Sequence, residues 1–315
     1  MGCTNLETSI AEQILGLLYR HSNSFVGAAP DVGSHGLNLM KLSRFVGAGR
    51  PVHFILPAFP AKSPNRQKTL SAMPDMADLE GLRMLNDLAL KIREIHAPGA
   101  RILICSDGQV FADVVQVTDL EVENYKRGIE SMIARHGLSE LDTFHLENVF
   151  GSLSFKKMRE KLNDTYAVPL EKLRAEMPAD PSLRLMFNGI HRFMFEDQLV
   201  LSPQLSREKA RQVAKGLAYQ VIQRSNAWSS LLADHFPLSM RLSIHPQVPQ
   251  SPKIGVQLVR AHDRWCTPWH NVLVSDGISK TLMKRSEAEA LGARVEKSTE
   301  GYAFFRLPSL RSELL

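Results

Sequence analysis

Cysteine is scarce in this 315-residue chain. Cys3, Cys105 and Cys266 cannot all pair, and none falls in a CxxC or other zinc-ligand spacing. A disulfide framework and a cysteine-built metal site are thereby excluded, and the usage fits a reducing compartment. Long apolar runs are also missing. No stretch approaches the ~18 residues of a membrane span, and the N-terminus lacks the charged and apolar regions of a signal peptide. Gly2-Cys3 invites a lipidation reading, but Leu6 stands where the myristoylation pattern needs Ser or Thr. The expectation is an unanchored, cytoplasmic protein without a membrane partner. There is no dense basic run either: 38 basic residues against 33 acidic ones give +5 spread along the chain. A nucleic-acid surface therefore has no support, whereas an anionic small substrate suits the mild excess. Finally, no GxGxxG, no Walker glycine loop and no G-x-S-x-G elbow follows any apolar run, which disfavours dinucleotide, nucleotide-triphosphate and serine-hydrolase sites built on those motifs.

What is present is organised around VHFILPAFPAKSPNRQKTL, residues 52–70. His53 to Leu56 is a short β-prone run, and Pro57 ends it because proline has no donor for a sheet ladder. The loop that follows carries Pro57, Pro60 and Pro64, so Phe59, Lys62, Ser63, Asn65, Arg66 and Lys68 are held on a stiff backbone. Leucines at helical spacing over Met76–Ile95, with Asp75 or Asp78 as cap and Pro98-Gly99 beyond, predict a long helix. Arg101–Cys105 then predicts a buried strand, with Ser106-Asp107-Gly108 turning at its end. Strand, helix, strand is the pattern of a parallel sheet. Its right-handed crossover brings the Pro57–Lys68 loop and the Ser106–Gly108 turn to one sheet edge, where open α/β sheets bind ligands.

The rest of the chain is consistent with one compact unit and an appended part. Residues 6–20 predict an amphipathic helix, Ser22–Gly49 a loop and short helix, 119–137 a helix and Leu141–Val149 a strand. Ser154–Met177 predicts a helix cut at Pro169, and Ser206–Trp228 another. Strands are expected at Met240–Pro246, Lys253–Val259, Asn271–Ser275 and Tyr302–Leu307. The expected fold is α/β, with a Rossmann-like, mainly parallel core at 51–180 behind an N-terminal helical segment (1–50). Residues 181–315 complete the site, with a linker-like turn at Pro178–Pro181 marking the boundary.

Several constellations could carry chemistry. His145-x-Glu147 has the spacing of an iron facial triad, with His191, His245 or His270 as third ligand. Such spacing arises by chance in a chain with eleven histidines. Cys105 ends a strand where a nucleophile could lie, but its apolar flank favours an inert buried thiol. Arg241, Ser243 and His245 alternate with Leu242 and Ile244, so they share one face of a strand as a polar stripe. Lys62, Arg66, Lys68, Lys215, Arg241, His245 and His270 are donors suited to a phosphate or carboxylate.

Several of these segments occur together in one family. LPAFPAKSPN, ILICSDG, Gly189-Ile190-His191-Arg192-Phe193-Met194-Phe195-Glu196-Asp197, Lys215-Gly216-Leu217-Ala218-Tyr219, Arg241–Pro246 and Thr267-Pro268-Trp269-His270 follow in order from about residue 50 to residue 305. In this the chain resembles the pyoverdine/dityrosine biosynthesis proteins, the isonitrile synthases. The resemblance implies an enzyme without a cofactor or metal. It would condense an aromatic amino acid, tryptophan or tyrosine, with the C2 ketone of ribulose 5-phosphate and, through proton transfers and carbon–carbon cleavage, convert the amine to an isonitrile. It also implies an iron/2-oxoglutarate-dependent oxygenase as the partner that takes the product. On this reading His245, His270, Asp107 and Lys62 are the candidates for acid–base work. Phe59, Ser63, Arg192, Lys215, Arg241 and Trp269 are the candidates for holding substrate, with Lys62, Lys215 and Arg241 clamping phosphate. Another sugar-phosphate-using or iron-dependent enzyme is the alternative; an RNA- or partner-binding protein would need exposed aromatics on a basic face.

Overall fold

The computed structural model describes residues 5–23 and 32–308. Gly2-Cys3 and part of the Ser22–Gly49 stretch lie outside the described residues. Helix α1 (Asn5–Arg20) buries Ile14, Leu15 and Leu18, and α2 (Val32–Gly47) buries Leu42. The first βαβ unit is β1 (Val52–Leu56), α3 (Met76–Ile95) and β2 (Ala100–Cys105). Asp75 caps α3 by accepting from the Ala77 amide at 2.9 Å, and Asp78 reaches back to the Asp75 amide at 2.8 Å. The short α4 (Gly108–Phe111), then α5 (Asp119–Arg135) and β3 (Leu141–Phe144), make the second unit. Thr118 and Glu121 form the capping box of α5.

Helical structure then runs through α6 (Glu147–Phe150), α7 (Phe155–Tyr166), α8 (Leu170–Glu176), α9 (Pro181–Leu201) and α10 (Arg207–His235). The chain returns to the sheet with β4 (Met240–Ser243) and β5 (Ile254–Gly255), and ends in β6 (Val272–Ser275), β7 (Lys280–Met283), α11 (Arg285–Ala290), β8 (Arg294–Lys297) and β9 (Ala303–Arg306).

The parallel five-stranded sheet has the order β3-β2-β1-β4-β5, and a second, mixed sheet has the order β7-β6-β9-β8. Side chains alternate across the first sheet. Val52, Phe54 and Leu56 join the core formed with α1, α3 and α5, while Ile55 and Cys105 join the core formed with α7 and α10. Helix α3 packs on β2 and also against β6 and β9, so it is shared by both sheets. The chain winds outward from β1 through β2 to β3, then places β4 on the other side of β1. The β1/β4 boundary is therefore a topological switch point, the position at which doubly wound sheets leave a crevice.

Five sequence expectations are corrected in extent, the first being the Met240–Pro246 strand, which ends at Ser243. The Leu141–Val149 segment is a strand only to Phe144 and turns helical at Glu147. The Ser206–Trp228 helix continues to His235, because Leu231 and Leu232 extend its buried face. The Lys253–Val259 strand pairs with β4 only at Ile254 and Gly255, with Val256 bridging to Ser22. The parallel sheet also continues past residue 180, since β4 and β5 come from the C-terminal part.

Candidate active site at the sheet switch point

A cavity of about 540 Å³ opens at the C-terminal ends of β1 and β4. That is within the usual range for a small-molecule pocket. One wall is the proline loop after β1. It is locked to the β2 turn: the Ser106 hydroxyl donates to the Phe59 carbonyl at 2.9 Å, and a Cβ on Gly108 would stand 2.0 Å from the Pro60 oxygen. Only glycine permits this approach. Phe59 itself adopts φ +55° and packs its ring 5.2 Å from Trp269, behind the cavity wall. The Ser63 amide donates to the Trp269 carbonyl at 2.8 Å, tying the loop to the Thr267–His270 segment.

Lys62 lines the cavity, but its ammonium faces the protein. It is fully buried, 3.0 Å from Asp75 and 2.7 Å from Asp78, and donates to the Pro268 carbonyl at 2.9 Å. Burial opposes its charge, yet the two carboxylates carry its pKa above the ordinary lysine value. All three of its protons are used. Lys68 is similarly engaged, 2.7 Å from Asp197 and 3.2 Å from Glu196, and Asn65 donates to Asp197 at 2.9 Å. These contacts fasten α9 to the loop, and the Ser182–Asp197 face of α9 forms the opposite wall.

The positive charge available to a ligand comes from Arg241 on β4 and from Lys253, one residue before β5. Arg241 donates to the Ser229 carbonyl at 3.1 Å and the Ser229 hydroxyl at 2.8 Å, while its Nε is buried without a partner. No carboxylate pairs with it among the described residues. Lys253, beside it, has no ion-pair or hydrogen-bond partner for its ammonium there either, and burial lowers the pKa of both, that of Lys253 further through the Arg241 charge.

Three titratable groups face the same space. Burial raises the Asp107 carboxyl to about 7, and its Oδ1 is buried without a partner. Burial lowers His245 to about 4, with the Lys253 charge acting the same way, and its Nδ1 is unpartnered. His270 falls to about 3 through burial, followed by the charges of Lys68, His245 and Lys62; its Nδ1 lies 3.1 Å from the Thr267 hydroxyl. His245 packs at 5.2 Å on Trp265 and His270 stacks at 5.3 Å on Phe193, so both rings are fixed.

Of the residues singled out in the sequence, Lys62, Ser63, Asp107, Arg241, His245, Trp269 and His270 line this one cavity. Arg192 does not: it is exposed and pairs with Asp263 at 2.6 Å. Lys215 is exposed on α10, away from the cavity lining. Lys253 and Asp197 were not picked out. Lys253 became legible only through its place just before β5, whereas Asp197 stood in the quoted Gly189–Asp197 segment and only its pairing with Lys68 gives it a role. His145 is buried with Nε2 3.3 Å from Glu130, Glu147 pairs with Lys126, and no group of three metal-binding side chains occurs among the described residues. The facial-triad alternative has no third ligand there.

Comparison with known proteins bears on the chain as a whole. The pyoverdine/dityrosine biosynthesis protein family matches residues 42–295. The chain is 46% identical over 289 residues to the L-tryptophan isonitrile synthase AmbI2 of Fischerella ambigua, covering 90% of this chain and 88% of that one. It is 41% identical to the L-tyrosine isonitrile synthase of Pseudomonas aeruginosa, covering 87% and 84%. The crystal structure of the PvcA protein from Pseudomonas aeruginosa superposes with a TM-score of 0.89 at 37% identity, over 95% of this chain and 99% of that one.

Proposed function

From its membership of the pyoverdine/dityrosine biosynthesis family, to which the chain belongs as an enzyme of isonitrile synthase type, we propose that it converts the amino group of L-tryptophan to an isonitrile with ribulose 5-phosphate as carbon donor. The observation that carries the sugar-phosphate reading is Arg241, a guanidinium turned to the cavity at the switch point with no carboxylate beside it among the described residues. A phosphate supplies the acceptors that such a group lacks, and arginine meets it bidentately. The amino acid side chain fits the apolar wall formed by Met186, Ile190, Met194 and Trp265. Tryptophan is preferred to tyrosine because two relatives at 46% and 47% identity are named L-tryptophan isonitrile synthases, against 41% for the L-tyrosine enzyme.

In this reading the amine adds to the C2 ketone, water leaves, and an imine results. Neutral His245 accepts protons, and Asp107, poised near neutrality, both gives and accepts them. His270 orients its neighbours, and no metal takes part. An iron/2-oxoglutarate-dependent oxygenase consumes the product. The test is to incubate chelator-treated protein with ribulose 5-phosphate and L-tryptophan or L-tyrosine and to follow the isonitrile by mass spectrometry. Isonitrile from tryptophan, undiminished by the chelator, is expected. Product from tyrosine alone would move the chain to the second reading, which the tyrosine relative supports. No isonitrile from either would overturn the proposal.

A further inference from the structure

The pairing of β4 with β5 sets Leu242 opposite Ile254 and Ser243 opposite Gly255. Arg241 and Lys253 each come one residue before these paired positions, and the Arg241 charge acts on the Lys253 ammonium. Both line the cavity. Two adjacent cations facing an enclosed space repel each other, and among the described residues neither has a carboxylate to relieve it. Only one of them can shed its charge, since the guanidinium keeps its proton in proteins. Burial and the neighbouring Arg241 both push Lys253 toward the neutral amine. These are the two conditions that make a lysine nucleophilic toward carbonyls. His245 lies close enough to feel the Lys253 charge, and its Nδ1 is free to receive a proton.

We propose that Lys253 is a catalytic nucleophile that forms a transient imine with the keto carbon of the phosphorylated ketose and then passes that carbon to the amino acid. The proposal rests on the substrate reading above. Lys253 Nζ attacks C2, the carbonyl electron pair moves to oxygen, and the oxygen takes up a proton. The attacking nitrogen gives its proton to His245. The hydroxyl then takes a second proton and leaves as water, which yields the protonated imine. The amine of the amino acid adds to C2, a proton passes from its nitrogen to Nζ, and Lys253 departs as the free amine. The protonated imine of the amino acid then gives back the second proton, so the sum is amine plus ketone giving imine plus water, with the lysine regenerated. Arg241 holds the phosphate throughout, so the keto carbon is delivered to the strand next door.

The experiment is to treat the full chain with ribulose 5-phosphate and sodium cyanoborohydride, without amino acid, and to measure intact mass and proteolytic peptides. One reduced sugar phosphate on the peptide containing Lys253 is the expected result. Lys253→Arg, which keeps the charge, should lose that adduct and lose isonitrile turnover while remaining folded by circular dichroism. Isonitrile assays of the wild-type protein run in parallel separate the two layers. If wild type makes isonitrile from ribulose 5-phosphate but carries no adduct, or carries it at another lysine, the lysine imine is wrong and the substrate reading stands. If Lys253→Arg keeps full turnover, Lys253 is only a charge beside the phosphate, and the proposal is also overturned. If wild type makes no isonitrile and forms no adduct, both fall. Should Lys253→Arg fail to fold, the position of the adduct in wild type still decides.

Discussion

His245 and His270 are neutral at pH 7 because burial moves them to about 4 and about 3, whereas burial moves Asp107 up to about 7. An unperturbed imidazole titrates near neutrality, but inside this cavity the carboxyl is the group that changes charge. Stability follows with opposite signs. Between about pH 4 and pH 7 the folded chain keeps the Asp107 proton that an unfolded chain has released, so its contribution is lost as pH rises through that window. For the histidines the unfolded chain holds protons that the folded one lacks, so their contribution is lost as pH falls from about 6.5 toward 4. Asp107→Asn should thus raise the urea midpoint more at pH 8 than at pH 5; an equal gain at both would show that Asp107 does not titrate in this window. Arg241→Ala should raise the sugar-phosphate KM by about 10- to 150-fold, a hydrogen bond to a charged group being worth about 1.5–3 kcal/mol. An unchanged KM in steady-state kinetics would remove the phosphate from Arg241. That Arg241 and Ser243 share one face of β4 was legible because strand alternation is a local property, whereas His245 lies past the end of the strand and reaches the cavity from the bend that follows. The pKa shifts were not, because they depend on burial by distant elements.

The proline loop, α3 and the Thr267–His270 segment meet at Lys62, which donates to a carbonyl of a distant turn and pairs with the two carboxylates that cap α3. Tyr125 of α5 adds a donor to Asp78 at 2.7 Å. Removing the ammonium leaves two buried carboxylates with too few donors, and breaking a buried pair in this way costs about 3–5 kcal/mol. Lys62→Met should therefore lower the denaturation midpoint strongly, whereas a variant of normal stability with only a raised sugar-phosphate KM would identify Lys62 as a clamp. Gly108→Ala tests the other joint: its Cβ meets a backbone oxygen at 2.0 Å, so the loop and the β2 turn must separate. Activity should fall even if the chain stays folded, and full activity would mean that this contact does not shape the site. The meeting of the two loops could be read from the sequence, since strand, helix and strand with a right-handed crossover leave little choice. That Lys62 turns inward could not be read. Its partners Asp75 and Asp78 also look like ordinary helix caps, and only the packing of the Pro268 turn shows that they hold a lysine as well.

At the scale of the molecule the sheet is built from both ends of the chain. Strand β1 has β2 on one side and β4 on the other, with about 180 residues of chain between β1 and β4, and α10 closes the face that carries Ile55 and Cys105. A division near residue 180 would strip β1 of a neighbour on its N-terminal side of the cut and would bare Ile55, Cys105, Val110 and Leu146, which now pack against Trp228, Leu231 and Leu232. On its far side β4 would lose its pairing with Phe54 and Ile55. Each buried side chain of this size is worth about 1.5–3 kcal/mol, and a domain's net stability is only about 5–15 kcal/mol, so neither piece is expected to fold alone. The chain should consequently unfold in one cooperative transition. Urea titrations followed by far-ultraviolet circular dichroism, which reports the helices, and by tryptophan fluorescence, which reports Trp228 beside β2 and Trp265 and Trp269 at the cavity, should give superimposable curves. The fragment 1–180 should lack the helical signal of the intact chain. Separate transitions for the two probes, or a folded fragment, would mean that the two parts are independent domains and that the cavity forms by their docking.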